Sequence, residues 1–392
     1  SYTQDLWRTN IQVAQAGGID GFALNVGSDS WQQDRVSDAY AAAASLGTSF
    51  KLFISLDMSV IPCANAGDAA LVRSYINNYA QNGNQLYYQG KQVVSTFAGE
   101  NCRFGQGNLN DAWNYAVKTS VNSSIAFIPS FFVDPNTFGS LSVIDGDFNW
   151  NGGWPQGNSD ITWNSDATHR SAIGNRFYMA AVSPLFFTAN SYNKNWIYRS
   201  DDWLYSARWE QLFIYRRQID IVQIISWNDY GESHYIGPIG PDQPNSQAWV
   251  NGFDHQGWVT MTNFYATGWK AGAFPTITKS QIFLSARPHS RDAVINNAAV
   301  PKPSNWQWTD DNLYATIFAA KIATLKLQIG SSNITSNIRV GVNKVSLPLS
   351  PGSPTATLVS GEADFIKFSP SGFTYTATPT AYNFNYYMAA SP

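Results

Sequence analysis

Residues 50–57 read Phe-Lys-Leu-Phe-Ile-Ser-Leu-Asp, a short apolar run that ends on a carboxylate. A run of this length between polar segments is typical of a strand buried inside a parallel sheet. Further runs of the same character alternate with helix-like stretches. They lie at residues 19–25, 92–98, 125–131, 142–145, 177–182 and 221–227. The alternation predicts repeated βα units, which build a parallel sheet flanked by helices.

These seven runs, with a helix as the first element, are one strand short of a (β/α)8 barrel, which closes with eight parallel strands. We therefore expect an α/β protein with a (β/α)8 TIM-like barrel over residues 1–280, whose opening strand precedes Ser1. An open sheet is the alternative. The expected helices cover residues 4–16, 35–46, 69–82, 109–121 and 202–218.

The sequence changes character after residue 280, where the helical pattern fades. Short runs separated by Gly, Ser, Pro and Asn turns follow, as in antiparallel β-structure. These runs are residues 314–327, 338–347, 356–359, 365–368 and 373–377. We predict a β-sandwich accessory domain over residues 281–392.

The composition narrows the range of partners. Charged residues are only 13% of the 392, aromatic residues are 15%, and the net charge is −3. Nucleic-acid binding needs clustered cations that neutralise several phosphates, and the sequence has no such cluster. Its apolar stretches fall short of the roughly 20 residues that span a bilayer. We expect a monomer that binds neither nucleic acid nor membrane, and whose rings and amides suit a neutral carbohydrate.

Two sequons, at Asn122 and Asn333, would accept N-glycans in a secretory pathway and favour a secreted protein, extracellular or in the cell wall. Cys63 and Cys102 are the whole cysteine inventory, and composition alone leaves open both a disulfide and two buried free thiols. In the expected barrel both cysteines follow neighbouring strands, in loops at the same mouth. We therefore predict a disulfide between them.

Carboxylates follow several of the expected strands. In a βα barrel the carboxyl ends of the strands face one mouth, where catalytic groups are found. Any one of these acids alone is explained equally well as a loop cap or a solvated surface group. The acids concerned are Asp57, Glu100, Asp134, Asp145, Asp147, Asp229 and Glu232.

The densest cluster is residues 226–235, Ser-Trp-Asn-Asp-Tyr-Gly-Glu-Ser-His-Tyr, directly after the last expected barrel strand. Asp229 and Glu232 stand three residues apart among rings and amides. Such surroundings can keep one carboxyl protonated and the other ionised, which is how glycoside hydrolysis is organised. The alternative is a loop whose acids only cap backbone amides.

Other motifs indicate less. Trp150 and Trp154, in residues 147–154, suit either stacking on a sugar or packing inside the barrel. The histidines have no metal-ligand spacing, and the sequence contains no phosphate-binding or dinucleotide glycine motif. We therefore predict no metal and no cofactor.

Residues 19–25, 50–57 and, above all, 227–235 resemble the fungal α-1,3-glucanases, or mutanases, of glycoside hydrolase family 71. The resemblance extends over about residues 2–287. It implies an inverting endo-hydrolase of the α-1,3-glucan of fungal cell walls, built of a barrel and a β-sandwich. Carried onto this sequence, the motif makes Asp229 and Glu232 the catalytic pair, with Asp57 and Glu100 as mouth residues that bind the sugar or assist.

The sequence does not decide which carboxylate is the acid. A turn at Gly231 that pushes the longer side chain toward the leaving group favours Glu232 as the acid and Asp229 as the base. The expected substrate contacts are Trp150, Trp154, Trp227, Asn228, Tyr230, His234 and Tyr235. Two other functions stay open: a glucan-binding protein without activity, and a glucan-remodelling transglycosylase.

Overall fold

The computed structural model describes residues 2–191, 194–361 and 363–392. Within these ranges no helix combines the length and the apolar character needed to cross a membrane. The α-helices are α1 (Gln4–Ala16), α2 (Ser30–Leu46), α3 (Ala69–Tyr79), α4 (Leu109–Trp113), α5 (Asn164–Ile173), α6 (Leu204–Ile214), α7 (Gln247–Val250) and α8 (Gln256–Ala271).

The strands of the first half are β1 (Gly21–Val26), β2 (Lys51–Asp57), β3 (Tyr87–Tyr88), β4 (Lys91–Phe97), β5 (Ile125–Ser130), β6 (Gly146–Asn149), β7 (Phe177–Val182), β8 (Phe186–Ser191), β9 (Lys194–Tyr198) and β10 (Ile221–Ile224). Those of the second half are β11 (Gln281–Ala286), β12 (Asn312–Ala319), β13 (Ala323–Ile329), β14 (Ser332–Ile338), β15 (Gly341–Pro348), β16 (Pro354–Ser360), β17 (Ala363–Phe368) and β18 (Tyr387–Ala390).

The chain forms two compact units. The first unit consists of Ser1–Gly153, Thr162–Ala181 and Ile214–Gln223. The second unit consists of Trp154–Ile161, Val182–Phe213 and Ile224–Pro392.

The first unit is built on parallel strands. β1 pairs with β2, β2 with β4, and β4 with β5, all in parallel register, while the short β3 runs antiparallel to β4. A second sheet has the order β10-β7-β6, with β6 and β7 parallel. The fold is therefore a mixed α/β fold with parallel sheets, as the alternating pattern predicts.

Local sequence explains this geometry. The interior residues of β2 are all buried, as expected for a parallel strand covered on both faces. Gly21 opens β1 because a Cβ there would lie 2.3 Å from the carbonyl oxygen of Lys51 on β2. α2 ends at Gly47, whose φ of 62° closes the helix in the left-handed region.

One strand is displaced from its expected position. Residues 142–145 do not form a strand, and β6 begins at Gly146. The Asp145 backbone N–H donates to the carbonyl oxygen of Phe127 at 2.8 Å, and its side chain accepts from the Phe127 N–H at 2.9 Å. The carboxylate also pairs with Lys91 and Lys118. Asp145 thus lies just before the amino end of β6 and not at the carboxyl end of a strand.

Three helices are shorter than their apolar patterns predict. The one expected over residues 69–82 is α3, which ends at Tyr79. The helix expected over residues 202–218 begins at Leu204, because Asp202 and Trp203 have φ values of 58° and 57° and cannot be helical. The helix expected over residues 109–121 ends at Trp113 and continues as a π-helical turn over Asn114–Lys118. The helix expected over residues 4–16 matches α1.

The second unit contains the β8–β9 hairpin, helices α7 and α8, and two antiparallel four-stranded sheets. The sheets have the orders β15-β12-β11-β18 and β14-β13-β16-β17. Apolar residues of both sheets, among them Ile282, Ile317, Leu325 and Leu358, form one buried core. The run expected over residues 314–327 is two strands, β12 and β13. Residues 373–377 form only isolated bridges.

The predicted disulfide is confirmed. Cys63 and Cys102 are bonded, with their Cα atoms 5.1 Å apart, and they join the loops after β2 and β4 in the first unit. The same loops share backbone hydrogen bonds, since the N–H groups of Arg103 and Phe104 both donate to the carbonyl oxygen of Cys63.

Candidate active site

The residues after β10 form a closed loop. The Ile225 N–H donates to the Val182 carbonyl at 2.8 Å, which extends the pairing of β10 with β7, and the Ile225–Ser226 peptide bond is cis. The Ser226 N–H then donates to the carbonyl oxygen of His234, and the Ile236 N–H donates back to that of Ser226. These bonds close the intervening residues into one compact turn.

Asp229 and Glu232 are joined within this turn. The Glu232 N–H donates to Asp229 Oδ1 at 3.0 Å, and the Asp229 N–H donates to Ser226 Oγ at 3.0 Å. The β8 strand supports the turn, because the Phe187 N–H donates to the Glu232 carbonyl and the Ser233 hydroxyl donates to the Phe187 carbonyl. The two side chains are 44% and 30% exposed, so both carboxyls contact solvent on one side while the surrounding protein removes much of their hydration.

His234 lies beneath the pair. Its ring is 1% exposed, and Nε2 lies 2.9 Å from Glu232 Oε2 and 4.0 Å from Asp229 Oδ2. Nδ1 lies 2.8 Å from Ser226 Oγ. The ring packs against Trp154 and Phe186, with ring centroids 5.7 and 5.8 Å away.

The two carboxyls have opposite pKa shifts. Burial raises the pKa of Asp229 and the charge of Glu232 adds to the rise, which His234 opposes. Burial alone would also raise the pKa of Glu232, but the hydrogen bond from His234 and the charges of His234 and Lys194 outweigh it and lower that pKa. The pair can therefore hold one protonated and one ionised carboxyl, as an acid–base pair requires.

The cluster also has the composition of a metal site. One ligand atom each from Asp229, Glu232 and His234 lie within 4.8 Å of one another, the one such group of His, Cys, Asp and Glu in the part of the chain that the structure describes. Both ring nitrogens of His234 are already engaged, with Ser226 and with Glu232. The hydrogen bonds within the loop thus account for this geometry without a cation.

Three aromatic residues expected in the groove are interior residues instead. Tyr230 is 5% exposed, and its hydroxyl donates to the Pro238 carbonyl and accepts from the Gly240 N–H. Tyr235 and Trp154 are 0% and 2% exposed. The expectation that these three rings contact the sugar is therefore corrected, because each presents its faces to protein.

Tyr235 connects the turn to distant parts of the second unit. Its ring stacks on that of His255 at 4.0 Å. Its hydroxyl donates to the Phe253 carbonyl at 2.6 Å and accepts from Asn385 Nδ2 at 3.1 Å. Asn385 also donates to the Trp249 carbonyl at 2.9 Å. Tyr235 is thus a structural anchor of the turn.

Trp227 and Asn228 remain accessible. Trp227 is partly exposed and Asn228 is exposed, one and two residues before Asp229. Gly237 lies against the Trp227 ring, where a Cβ would be 2.6 Å from Cε2. Both residues therefore remain candidates for substrate contact.

The sequence analysis missed the β8–β9 hairpin, which runs beside the pair. Lys194, on β9, acts electrostatically on both carboxyls. Burial and the charge of Glu232 raise the pKa of Tyr198 at the other end of β9. Trp196 is partly exposed and stacks on Phe186 at 5.5 Å. The run of aromatic and β-branched residues over 196–198, Trp-Ile-Tyr, is the signal that could have predicted this strand.

Other candidate residues lie in the first unit. Asp57 ends β2, and its Oδ1 accepts from the Ser59 N–H at 3.1 Å. Glu100 follows β4, and Oε2 accepts from the Phe132 N–H at 3.3 Å. Trp150 follows β6, packs edge-on against Phe97 and is partly exposed.

Two further strand-end acids have structural roles. Asp134 accepts from the Asn136 N–H at 3.0 Å and caps the following turn. Asp147 is 1% exposed and lies 2.6 Å from Nδ1 of His169 on α5. Burial raises the pKa of Asp147, and the bond to His169 opposes that rise. Asp147 is therefore buried against α5 and is not accessible to a ligand in this structure.

Comparison with known proteins gives a consistent relationship. The glucan endo-1,3-alpha-glucosidase agn1 of Schizosaccharomyces pombe is 37% identical over 393 residues, covering 98% of this chain and 90% of that protein. The ascus wall endo-1,3-alpha-glucanase of the same yeast is 32% identical, covering 98% of this chain and 93% of that protein. A GH99 endo-alpha-mannosidase from Bacteroides thetaiotaomicron has a similar fold, with a TM-score of 0.53 and 11% identity over 69% of this chain and 85% of that one.

The family model of glycosyl hydrolase family 71 matches residues 1–392, the whole of the sequence. The relationship inferred from residues 227–235 is confirmed. The chain belongs to glycosyl hydrolase family 71.

Proposed function

We propose that this protein is an endo-acting glycoside hydrolase that cleaves the α-1,3-glucosidic bonds of fungal cell-wall α-1,3-glucan with inversion. The observation that carries hydrolysis at this site is the Asp229–Glu232 pair, held in one turn with opposite pKa shifts, whereas inversion is what the family resemblance implies. The names of the two yeast relatives, both endo-1,3-α-glucan hydrolases, support the substrate.

In this mechanism Asp229 is the acid and Glu232 is the base. The raised pKa of Asp229 favours the protonated carboxyl that donates to the glycosidic oxygen, and the lowered pKa of Glu232 favours the carboxylate that takes a proton from water. The water oxygen bonds to the anomeric carbon as the bond to the leaving oxygen breaks. This assignment reverses the one that the position of Gly231 favours in the sequence.

The proposal includes a complete (β/α)8 barrel over residues 1–280 and a β-sandwich over residues 281–392. The parallel strands support the barrel, and an eighth strand between β1 and β10 would complete it. The two antiparallel sheets with one core support the sandwich, as does the start of β11 at Gln281.

Several surface features fit a secreted polysaccharide hydrolase. Trp227 and Asn228 are the proposed sugar contacts beside the pair, and Asp57, Glu100 and Trp150 are those of the first unit. Both sequon residues are exposed and available to N-glycans: Asn122 and Asn333. We propose a monomeric, extracellular or cell-wall protein with no nucleic-acid or membrane partner.

The test is proton NMR of the first products released from insoluble α-1,3-glucan. Inversion of an α-linkage gives the β-anomer first, with reducing ends released throughout the polymer. The α-anomer would instead indicate retention, as a transglycosylase requires. Glucan binding without release of reducing ends would indicate a binding protein. Either result would overturn the proposal.

A further inference from the structure

A polar chain of Ser226, His234 and Glu232 runs behind the proposed base, with the buried His234 ring at its centre. We propose that Ser226 fixes the tautomer of His234, so that His234 presents an N–H to Glu232 and holds this carboxylate in place as the base. Ser226 and His234 are then positioning residues that never touch the sugar. This inference rests on the proposed function, because it assigns a role within the same site.

The hydrogen bonds of Ser226 carry the first step. The Asp229 N–H is a donor that cannot reverse, and it occupies one lone pair of Ser226 Oγ at 3.0 Å. The serine hydroxyl hydrogen remains to be placed, and His234 Nδ1 lies 2.8 Å away. If the hydroxyl donates to Nδ1, a neutral imidazole carries its single proton on Nε2.

The position of Glu232 selects between the two tautomers. With the proton on Nε2, His234 donates to Glu232 Oε2 across 2.9 Å and stabilises a carboxylate there. With the proton on Nδ1, the lone pair of Nε2 would face Glu232, and only a protonated carboxyl could satisfy it. The tautomer of His234 and the protonation state of Glu232 are therefore coupled: the Nε2–H form goes with the carboxylate and the Nδ1–H form with the carboxylic acid.

The charged groups around Glu232 favour the carboxylate. Lys194, from β9, brings positive charge to it, and Asp229 from the same turn brings negative charge that its own protonation removes. Tyr198, also on β9, has a raised pKa and stays a neutral phenol. His234 is the remaining titratable partner. With Asp229 protonated, the positive charge of Lys194 is no longer opposed by a negative charge on Asp229, so the surrounding charges favour an ionised Glu232.

Packing fixes the direction of the ring. His234 is held between Trp154 and Phe186, and its backbone carbonyl accepts from the Ser226 N–H at 2.8 Å. With 1% exposure, the ring has no solvent to supply a different hydrogen-bond partner. This corrects the expectation that His234 contacts the substrate and gives the buried Trp154 a role in holding the ring.

The experiment measures the pH dependence of kcat/KM on soluble α-1,3-gluco-oligosaccharides for Ser226→Ala, Ser226→Thr, His234→Gln and His234→Phe. Ser226→Ala removes the hydroxyl that fixes the tautomer of His234, so the hydrogen bond from Nε2 to Glu232 weakens. We expect the acid limb to move to higher pH by about one unit, the size of shift that one lost hydrogen bond to a carboxylate produces. Ser226→Thr restores the hydroxyl and the wild-type limb. KM stays unchanged throughout, because neither residue touches sugar.

The histidine variants separate donation from packing. His234→Gln can place an amide N–H near the position of Nε2 and retains most of the acid limb, whereas His234→Phe moves it as far as Ser226→Ala or farther. His289→Gln is the matched control, since His289 is also a buried histidine, with Nδ1 2.9 Å from the Ser290 carbonyl and Nε2 accepting from the Asn383 N–H at 2.9 Å. It should lower Tm without moving either limb.

A second readout is independent of activity. In protein labelled with 15N-histidine, long-range NMR correlations report the tautomer of each ring, and the His234 signals are those missing from His234→Gln. We expect the Nε2–H form in the wild type and loss of that preference in Ser226→Ala. A wild type with the Nδ1–H form or a doubly protonated ring, or a Ser226→Ala variant with unchanged tautomer and acid limb, overturns the inference. An inactive wild type that keeps the Nε2–H form refutes the proposed function alone.

Discussion

The backbone of Glu232 is hydrogen bonded to the side chain of Asp229, so the two candidate catalytic residues form one unit. The bond spans the two residues that lie between them, Tyr230 and Gly231. A substitution of Asp229 that removes the Oδ1 acceptor therefore changes two things, the acid itself and the turn that carries Glu232. Variants must be chosen to separate these effects.

Asp229→Asn and Glu232→Gln should each lower kcat by at least about 10² to 10⁴, the usual contribution of general acid or base assistance. Both retain an oxygen at the acceptor position, so Tm should stay near the wild-type value. Asp229→Ala should also lose about 1 kcal/mol of stability with the turn hydrogen bond. Reducing-end release and calorimetry measure the two effects. Near wild-type turnover in both amide variants would place the chemistry elsewhere, with Asp57 and Glu100 the next candidates.

The division of roles predicts opposite rescue behaviour. Asp229→Asn should recover on an oligosaccharide with an activated phenol as leaving group, which needs no proton. Glu232→Ala should recover partly with azide, and the product should be the inverted glycosyl azide. Product analysis by NMR checks both. The opposite pattern would restore Glu232 as the acid and Asp229 as the base.

The pH profile of kcat/KM should be bell-shaped and lie on the acid side of neutrality. The acid limb reflects protonation of Glu232, whose pKa the hydrogen bond from His234 and the nearby positive charges hold below the ordinary glutamate value. The alkaline limb reflects deprotonation of Asp229, whose raised pKa places it above the usual aspartate value. Asp229→Asn should remove the alkaline limb from the residual activity. Retention of that limb in this variant would assign it to another group.

Reduction of the Cys63–Cys102 disulfide should destabilise the protein. The bond closes 39 residues, and the entropy model gives roughly 3 to 4 kcal/mol for a loop of that size. The Cys63→Ser/Cys102→Ser variant should unfold at lower temperature by calorimetry, and a reductant should lower the Tm of the wild type only. An equal effect of reductant on both proteins would show that it acts elsewhere.

The buried ion pair of the second unit should be sensitive to loss of one partner. Arg287 Nη1 lies 2.9 and 3.0 Å from the two carboxylate oxygens of Asp201, and both side chains are buried. Arg287→Met should cost about 3 to 5 kcal/mol, because it leaves a buried charge unpaired. Asp5→Ala, which breaks the exposed pair with Arg8, is the control and should cost less than about 1 kcal/mol. Denaturant unfolding measures both, and equal costs would contradict the expectation.

The sequence predicted strands far better than side-chain directions. Apolar runs such as residues 50–57 mark strands reliably, because a parallel strand is buried on both faces. A strand buried on both faces has no alternating pattern that shows which way each side chain points. Asp147 could therefore not be distinguished from an acid at the expected barrel mouth. Trp154 and Tyr235 were misjudged for a related reason, because a ring beside catalytic acids can face either the ligand or the core. The tertiary contacts decide: Trp154 packs against Phe186 of β8 and Tyr198 of β9, and Tyr235 stacks on His255.

The hydrogen bond from Asn385 to Tyr235 limits which segments of this protein can be replaced by domains of other proteins. Asn385, in the predicted accessory domain, completes the hydrogen bonds of Tyr235, which anchors the turn that carries Asp229 and Glu232. Residues 281–392 therefore contribute to the structure of the candidate active site. Swapping residues 281–392 for an unrelated carbohydrate-binding module, a common step in enzyme engineering, would remove the Asn385 donor and leave a buried tyrosine hydroxyl and the Trp249 carbonyl without it. Successful chimeras of this enzyme should therefore carry their new module at the amino end or beyond Pro392.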